Sequence, residues 1–420
     1  MVEFLKPLGG KSLSAAFGAV VLLLSSASAG SAEGARCVAD PVAVIARAPT
    51  AAMATTPLPA DLAADLDAAV KSVLPKVAAP GIIAGVRTPA GYWTSAYGLA
   101  DPETGRPMEV GMFTRIGSVT KTFTGTLLMQ LVESGAVSLD DTIGQYVDDI
   151  PNGDRITLRQ LANMTSGVQS YTNLDSFQDQ LFAQPGRVFS TDELLGLAIP
   201  RSPAFEPGER FDYSNSNFVL LGLVIEKVSG KSLAENYQTG IFAPLGIENT
   251  FSPEANPDLP DPHPQGYTLQ GIVDHPKVAT NATNWNPSWS WATGHLVSTV
   301  DDLLTFGRAL GTGQGLLGTD AQMTRLNAFP KPLGYGIALG CVDGWIGHDG
   351  SEPGYTTTLF YDTTSDTTVA VQANSDIFSG DCEDQAVLPD NSTEFTCNSP
   401  ALRVFSALSD ALGHEYAGHD

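Results

Sequence analysis

The sequence predicts an α/β protein: a helix-flanked antiparallel β-sheet domain with an all-helical lobe inserted into it. Three observations predict this. Strand-like segments lie towards both ends of the 420-residue chain. The section between them is punctuated for helices. One segment, "FTGTLLMQLV" (123–132), is apolar nearly all round, as a helix buried between layers must be.

Taken in order, residues 1–29 read as a removable export signal. Lys6 and Lys11 precede "LSAAFGAVVLLLSSASA" (13–29), which ends in the small residues Ala27 and Ala29. At about 15 residues, its apolar core falls short of the roughly 20 a membrane-anchoring helix needs. Cys37 follows "GAR", which does not fit lipid attachment. No later run is long enough to span a bilayer, so no stable membrane insertion is expected. Residues 30–60 form a loose Ala/Pro-rich leader.

The sheet domain is expected over 61–155 and 285–412. "DLAADLDAAVKSVL" (61–74) has apolar residues at helical spacing. "GIIAGVR" (81–87) and "YWTSAYG" (92–98) flank "TPAG" as a hairpin. "YGIALGC" (335–341), "YTTTLFYD" (355–362) and "TTVAVQANS" (367–375) are further strands, and "PALRVFSALSDAL" (400–412) is a helix. The helical lobe is expected over 156–284. "ITLRQLANMTSG" (156–167) reads as a short helix ending near Gly167. "SNSNFVLLGLVIEKVSG" (214–230) opens on capping residues and stops at Gly230. "STVDDLLTFGRALGTG" (298–313) starts from Ser298 or Thr299. The 252–290 loop is long and Pro/Gly-rich, the 376–398 loop is acidic and exposed, and 413–420 is a tail.

The balance of 46 acids against 22 bases, net −24, excludes nucleic acid and anionic membranes as general electrostatic partners. Four cysteines, Cys37, Cys341, Cys382 and Cys397, fit an oxidising compartment and allow three pairings. Cys382 with Cys397 closes the shortest loop, leaving Cys37 for Cys341. A zinc site competes weakly, because no Cys-x-x-Cys occurs.

Three short patterns carry chemistry. Ser118 stands three residues before Lys121, so a helix places both on one face. A desolvated lysine loses its proton readily and then accepts one from a serine. Such a tetrapeptide arises by chance about once in a chain this long. It gains weight here by opening the buried helix. Tyr213-Ser214-Asn215 directly precedes a strong helix. Its decoy, Tyr171-Thr172-Asn173, lies in a polar loop and suits a cleft rim. His348-Asp349-Gly350 lies in an extended segment where His348 and Gly350 share a face. Gly350 leaves room for a substrate backbone, and the amides of Ser118 and Ser351 form a candidate oxyanion hole. His414 and His419 have no catalytic spacing. "WNPSWSW" (285–291) is expected to wedge two lobes together.

Ser-x-x-Lys, Tyr-x-Asn and His-x-Gly in this order resemble the serine D-alanyl-D-alanine carboxypeptidases and class C β-lactamases, a group that includes family VIII-type esterases. The resemblance covers about 61–412 and is carried by "RIGSVTKTFTG", "LRQLANMTSGV", "YSNSNFVLLGLVIEKVSG", "LVSTVDDLLTFGRAL" and "GHDGSEPGY". Several strings look like those of secreted actinobacterial carboxypeptidases. The resemblance implies a β-lactamase/transpeptidase-like fold and a serine hydrolase. Ser118 would be acylated, with Lys121 and the Tyr213 phenol or phenolate exchanging protons. Asn215, His348, Gly350 and Ser351 would bind substrate. No metal or cofactor is implied. The substrate implied is a small acyl or peptidyl compound: a peptidoglycan stem peptide, an ester or a β-lactam. A catalytically silent relative that only binds such ligands is the alternative.

The chain departs from those carboxypeptidases in two places. Arginines that meet the substrate carboxylate are expected on the strand before His-x-Gly, where this chain has "GIALGCVDGW" without a base. Glu352 then follows the motif, adding negative charge. Ester turnover is therefore expected to exceed D-alanine release, with Arg325 as the candidate replacement for the missing base.

Overall fold

The computed structural model describes residues 36–49, 55–199, 203–272, 277–329, 333–383 and 385–417. The expected export signal lies outside them. The chain enters through helices α1 (Pro41–Ile45) and α2 (Ala60–Val73). Strands β1 (Gly81–Thr88), β2 (Gly91–Asp101) and β3 (Arg106–Pro107) follow, and the short β4 (Thr114–Arg115) leads to α3 (Thr120–Glu133). The middle holds α4 (Leu158–Ala162), α5 (Asp175–Ala183), α6 (Thr191–Ala198), α7 (Asn215–Ser229), α8 (Leu233–Tyr237) and α9 (Ala243–Leu245). It ends with the small pair β5 (Tyr267–Thr268) and β6 (Thr280–Asn281). The chain returns through α10 (Trp291–Gly294), β7 (Val297–Ser298), α11 (Val300–Thr312) and α12 (Thr319–Leu326). Strands β8 (Leu333–Tyr335), β9 (Gly340–Val342), β10 (Trp345–Glu352), β11 (Tyr355–Asp362) and β12 (Thr367–Ala373) come last, before α13 (Pro400–Ala411).

The eight-stranded sheet runs β3-β2-β1-β12-β11-β10-β9-β8. Its pairings are antiparallel, and β1 meets β12, so the first hairpin and the last strand close the same sheet. Period-two alternation sorts the strands between two cores. Ile82, Ala84, Val86, Val369 and Val371 pack with Leu402, Phe405 and Leu408 of α13. Ile83, Leu359, Tyr361 and Ala370 pack on the other face with Val300, Leu303 and Leu304 of α11. Helix α3 serves two cores at once, which explains its lack of a polar face. Phe123 and Leu127 join the sheet core, and Leu128 and Met129 join the core built by α4 to α7.

Several elements differ from the sequence expectation. The segment 335–341 is not one strand. Ala338 takes a left-handed φ of 62°, Gly336 N donates to Leu339 O at 2.8 Å, and the chain turns between β8 and β9. The helix expected over 156–167 stops at Ala162, because Met164 and Gly167 both have positive φ. Part of the expected loose leader is packed. Val38 and Val44 are buried, and Cys37 is bonded to Cys341. Cys382 bonds Cys397, so every cysteine is consumed and the zinc reading is closed. The 376–398 loop is tied down by that disulfide and by buried Ile377. In the tail, Tyr416 is buried against Phe360 and Phe405, and Trp345 Nε1 donates to His414 O. His419 lies outside the described residues. The three tryptophans of 285–291 pack chiefly on the helical side, Trp285 on Phe182, Trp289 on Phe177, and Trp291 against Gly222 of α7.

Candidate active site

Ser118 lies in a 3-10 turn, Gly117–Val119, that runs directly into α3. Gly117 needs its positive φ of 51°, and a Cβ there would stand 2.5 Å from Ser351 N. From the other side, a Cβ on Gly350 would lie 2.0 Å from Ile116 O and 2.8 Å from Ser118 N. Two glycines thus let the serine turn press against β10, which brings the Ser118 and Ser351 amides to one place.

One turn along, Lys121 is fully buried, with Nζ 2.9 Å from Ser118 Oγ and donating to Thr293 O at 2.8 Å. It lies over the ring faces of Tyr213 and Phe218, 5.0 and 5.6 Å from their centroids. No carboxylate pairs with it directly. Burial therefore dominates and lowers its pKa from 10.5 to about 7, with Glu352 and then Asp349 opposing. That shift amounts to about 5 kcal/mol against the charged form.

Tyr213 immediately precedes α7. Its hydroxyl is buried without a hydrogen-bond partner, and burial pushes the phenol well above its ordinary pKa, opposed by nearby Ser118. Asn215 opens α7. Its backbone N–H donates to Ser170 Oγ and its Nδ2 to Thr172 Oγ1, both at 3.0 Å, while Oδ1 is buried and unpartnered. The decoy Tyr171 is fully buried, not at a cleft rim. Its hydroxyl donates to Trp289 O at 2.6 Å, and Thr172 beside it orients Asn215.

His348 lies on β10 with its ring 6.2 Å from that of Tyr213. Its Nε2 is 3.0 Å from Tyr335 Oη, and its Nδ1 contacts the backbone oxygen of Asp349. Burial, with Lys121 adding to it, lowers its pKa to about 3, so the imidazole is neutral. Ser118, Lys121, Tyr213, His348, Gly350 and Ser351 therefore come together where the serine turn meets β10, and Asn215 lies two residues from Tyr213 at the start of α7. Thr293, Tyr335, Ser170 and Thr172 also build the site. Thr172 belongs to the decoy pattern, the other three carry no motif, and all four reach the site only through folding.

Two charges do not stand where the sequence put them. Glu352 is buried, 3% exposed, beside Gly294. Burial raises its pKa to about 8, against Ser290, Arg115 and Lys121, so it holds its proton at neutral pH. Arg325 is also fully buried and donates to Thr126 Oγ1 at 3.0 Å, on α3 beyond the lysine. It does not stand in for the missing carboxylate-binding base.

The chain matches the family described as Beta-lactamase over residues 64–388. It is 26% identical to "Penicillin-binding protein 4*" of Bacillus subtilis over 288 residues, 63% of this chain and 61% of that protein. It is 33% identical to a D-aminopeptidase of Cereibacter sphaeroides over 189 residues, 44% of this chain and 36% of that one. The chain thus spans less than two thirds of the length of these relatives. Among solved structures, a D-stereospecific amidohydrolase from Streptomyces sp. superposes with TM-score 0.67 at 30% identity, covering 74% of this chain and 94% of that one. The D-amino acid amidase of Ochrobactrum anthropi SV3, in complex with L-phenylalanine amide, shares the fold with TM-score 0.70 at 23% identity, covering 84% of this chain and 98% of that one. With the antiparallel sheet, the serine turn and the family match in agreement, the chain belongs to the Beta-lactamase family of penicillin-binding proteins and related serine hydrolases.

Proposed function

We propose that this protein hydrolyses amide or ester bonds through an acyl-serine, with Ser118 as nucleophile. The observation that carries the reading is the 2.9 Å contact between Ser118 Oγ and a fully buried Lys121 amine. A neutral amine accepts the serine proton as the hydroxyl attacks the carbonyl carbon. Tyr213, kept as a phenol by burial, gives its own proton to the leaving group as that bond breaks, takes the serine proton from the Lys121 ammonium, and then assists water in deacylation. The Ser118 and Ser351 amides receive the oxyanion. Asn215 Oδ1, an acceptor without a partner, receives a substrate N–H.

Disulfides Cys37–Cys341 and Cys382–Cys397 support an extracytoplasmic location. Among the described residues no helix is long and apolar enough to cross a membrane. The finer reading is an amidase or esterase, not a dedicated D-alanyl-D-alanine carboxypeptidase, because Arg325 is fully buried against Thr126.

A fluorophosphonate probe and a labelled penicillin test the proposal. Label on the wild type and none on Ser118→Ala is expected. Correctly folded wild type that takes up neither probe would overturn the enzyme reading in favour of a binding relative.

A further inference from the structure

We propose that Glu352 is a positioning residue for the reaction. Its side chain bolts β10 to the turn at 290–294, and so holds the Ser351 amide and the Lys121 amine in one frame around Ser118. This rests on the acyl-serine reading above and deepens it by giving Glu352 a task at that site.

Period-two alternation puts His348, Gly350 and Glu352 on one face of β10. That face meets the serine turn, because a Cβ on Gly350 would lie 2.8 Å from Ser118 N. Glu352 continues along it to α10. A Cβ on Gly294 would stand 2.5 Å from Glu352 Oε1, 3.0 Å from Ser290 Cβ and 3.4 Å from Ser290 Oγ. The carboxyl and the Ser290 hydroxyl therefore meet over a position that glycine leaves open, and the two are hydrogen-bonded.

Ser290 is tied closely to the base. Its carbonyl oxygen receives both the N–H and the hydroxyl of Thr293, each at 2.6 Å. Thr293 O in turn receives Lys121 Nζ at 2.8 Å, and Nζ stands 2.9 Å from Ser118 Oγ. On the strand, Glu352 directly follows Ser351, whose amide packs on Gly117. A shift of Glu352 thus reaches the oxyanion donor through the backbone and the base through Ser290.

Glu352 is 3% exposed, and a polar group so buried is costly unless it is hydrogen-bonded. Kept protonated by burial, its carboxyl both donates and accepts, so it holds Ser290 whichever way that hydroxyl turns. An amide of the same shape does likewise. An apolar chain does not.

The test measures the rate at which fluorophosphonate labels Ser118, beside a thermal melt. Glu352→Met is expected to label at least about tenfold more slowly, since a misplacement of about 1 Å at a reacting group can cost on the order of a hundredfold. Glu352→Gln should label within about threefold of wild type. Ser290→Ala should be slowed like Glu352→Met, and the two changes together should cost no more than one alone, as members of one link. Glu352→Met at the wild-type rate, Glu352→Gln as slow as Glu352→Met, or additive losses in the double variant would each overturn the proposal. If Glu352→Met melts below the assay temperature, Ser290→Ala decides, and wild-type labelling there overturns it. Failure of the probe to label wild-type Ser118 would instead sink the acyl-serine reading beneath it.

Discussion

Lys121 Nζ donates to the Thr293 carbonyl oxygen at 2.8 Å. That bond fixes one N–H, so the lone pair of a neutral amine can turn towards Ser118 Oγ, 2.9 Å away. Thr293 lies in α10, far along the chain from α3, and the base is oriented only when the two pack.

Replacing Lys121 with Met should separate activity from stability. Acylation should fall at least about a thousandfold, because the activating base is gone. Stability should hold or rise, since a buried amine gives way to an apolar chain of similar volume. Stopped-flow labelling and a thermal melt check both. A large fall in Tm would mean the amine is structurally required.

Activity should rise with pH through about 7 as Lys121 loses its proton. Glu352 holds its proton below about 8, so Glu352→Gln should leave this acid limb nearly in place. The stability linkage has the corresponding signs. Between about 7 and 10.5 the unfolded chain holds the lysine proton and the native state does not, so Lys121 makes stability rise with pH. Between 4.5 and about 8 the native state holds the Glu352 proton, so that group makes stability fall with pH. A pH–rate profile of both enzymes decides. A limb that moves to lower pH in the variant would show that Glu352 is ionised beside Lys121 there.

Gly350→Ala should cost catalysis more than folding. The added methyl would stand 2.0 Å from Ile116 O, so β10 and the serine turn must part. A displacement of about 1 Å at a reacting group can cost on the order of a hundredfold. Steady-state kinetics beside a circular dichroism melt test this. Unchanged kcat would mean the turn relaxes freely.

The two disulfides should contribute unequally. Cys37–Cys341 spans 304 residues and Cys382–Cys397 spans 15. By chain entropy the first stabilises by about 6 kcal/mol and the second by about 3 kcal/mol. Urea unfolding of the two double-serine variants measures the difference. The reverse order would indicate that the native state or residual unfolded structure dominates.

Across a panel, p-nitrophenyl esters should be turned over faster than D-alanine is released from a D-Ala-D-Ala tripeptide. Arg325 is buried against Thr126 and does not supply a base for the carboxylate. Efficient D-alanine release at low ionic strength would contradict this.

Local patterns carried much of the architecture. The segments 81–87 and 355–362 read as strands from their β-branched and aromatic residues, and both are buried on the two faces of the sheet. Gly230 ends α7 because its φ of 69° suits glycine. Helix α6 carries a readable capping box, Ser190 with Glu193, although the apolar spacing around it is weak. The two-strand turn at 336–339 was not readable, since Ala338 gives no sign of a left-handed φ.

For the candidate site, the sequence alone determined that Ser118 and Lys121 meet, because they are three residues apart on one helical face. It also determined that Tyr213 stands at a helix start and that Gly350 permits close approach. Tertiary structure alone decided the charges. Glu352 reads as an anion and is buried with its proton. Arg325 reads as a spare base and is sealed against α3. A residue's ionisation depends on how much water and how many partners surround it, and packing between segments distant in sequence sets both.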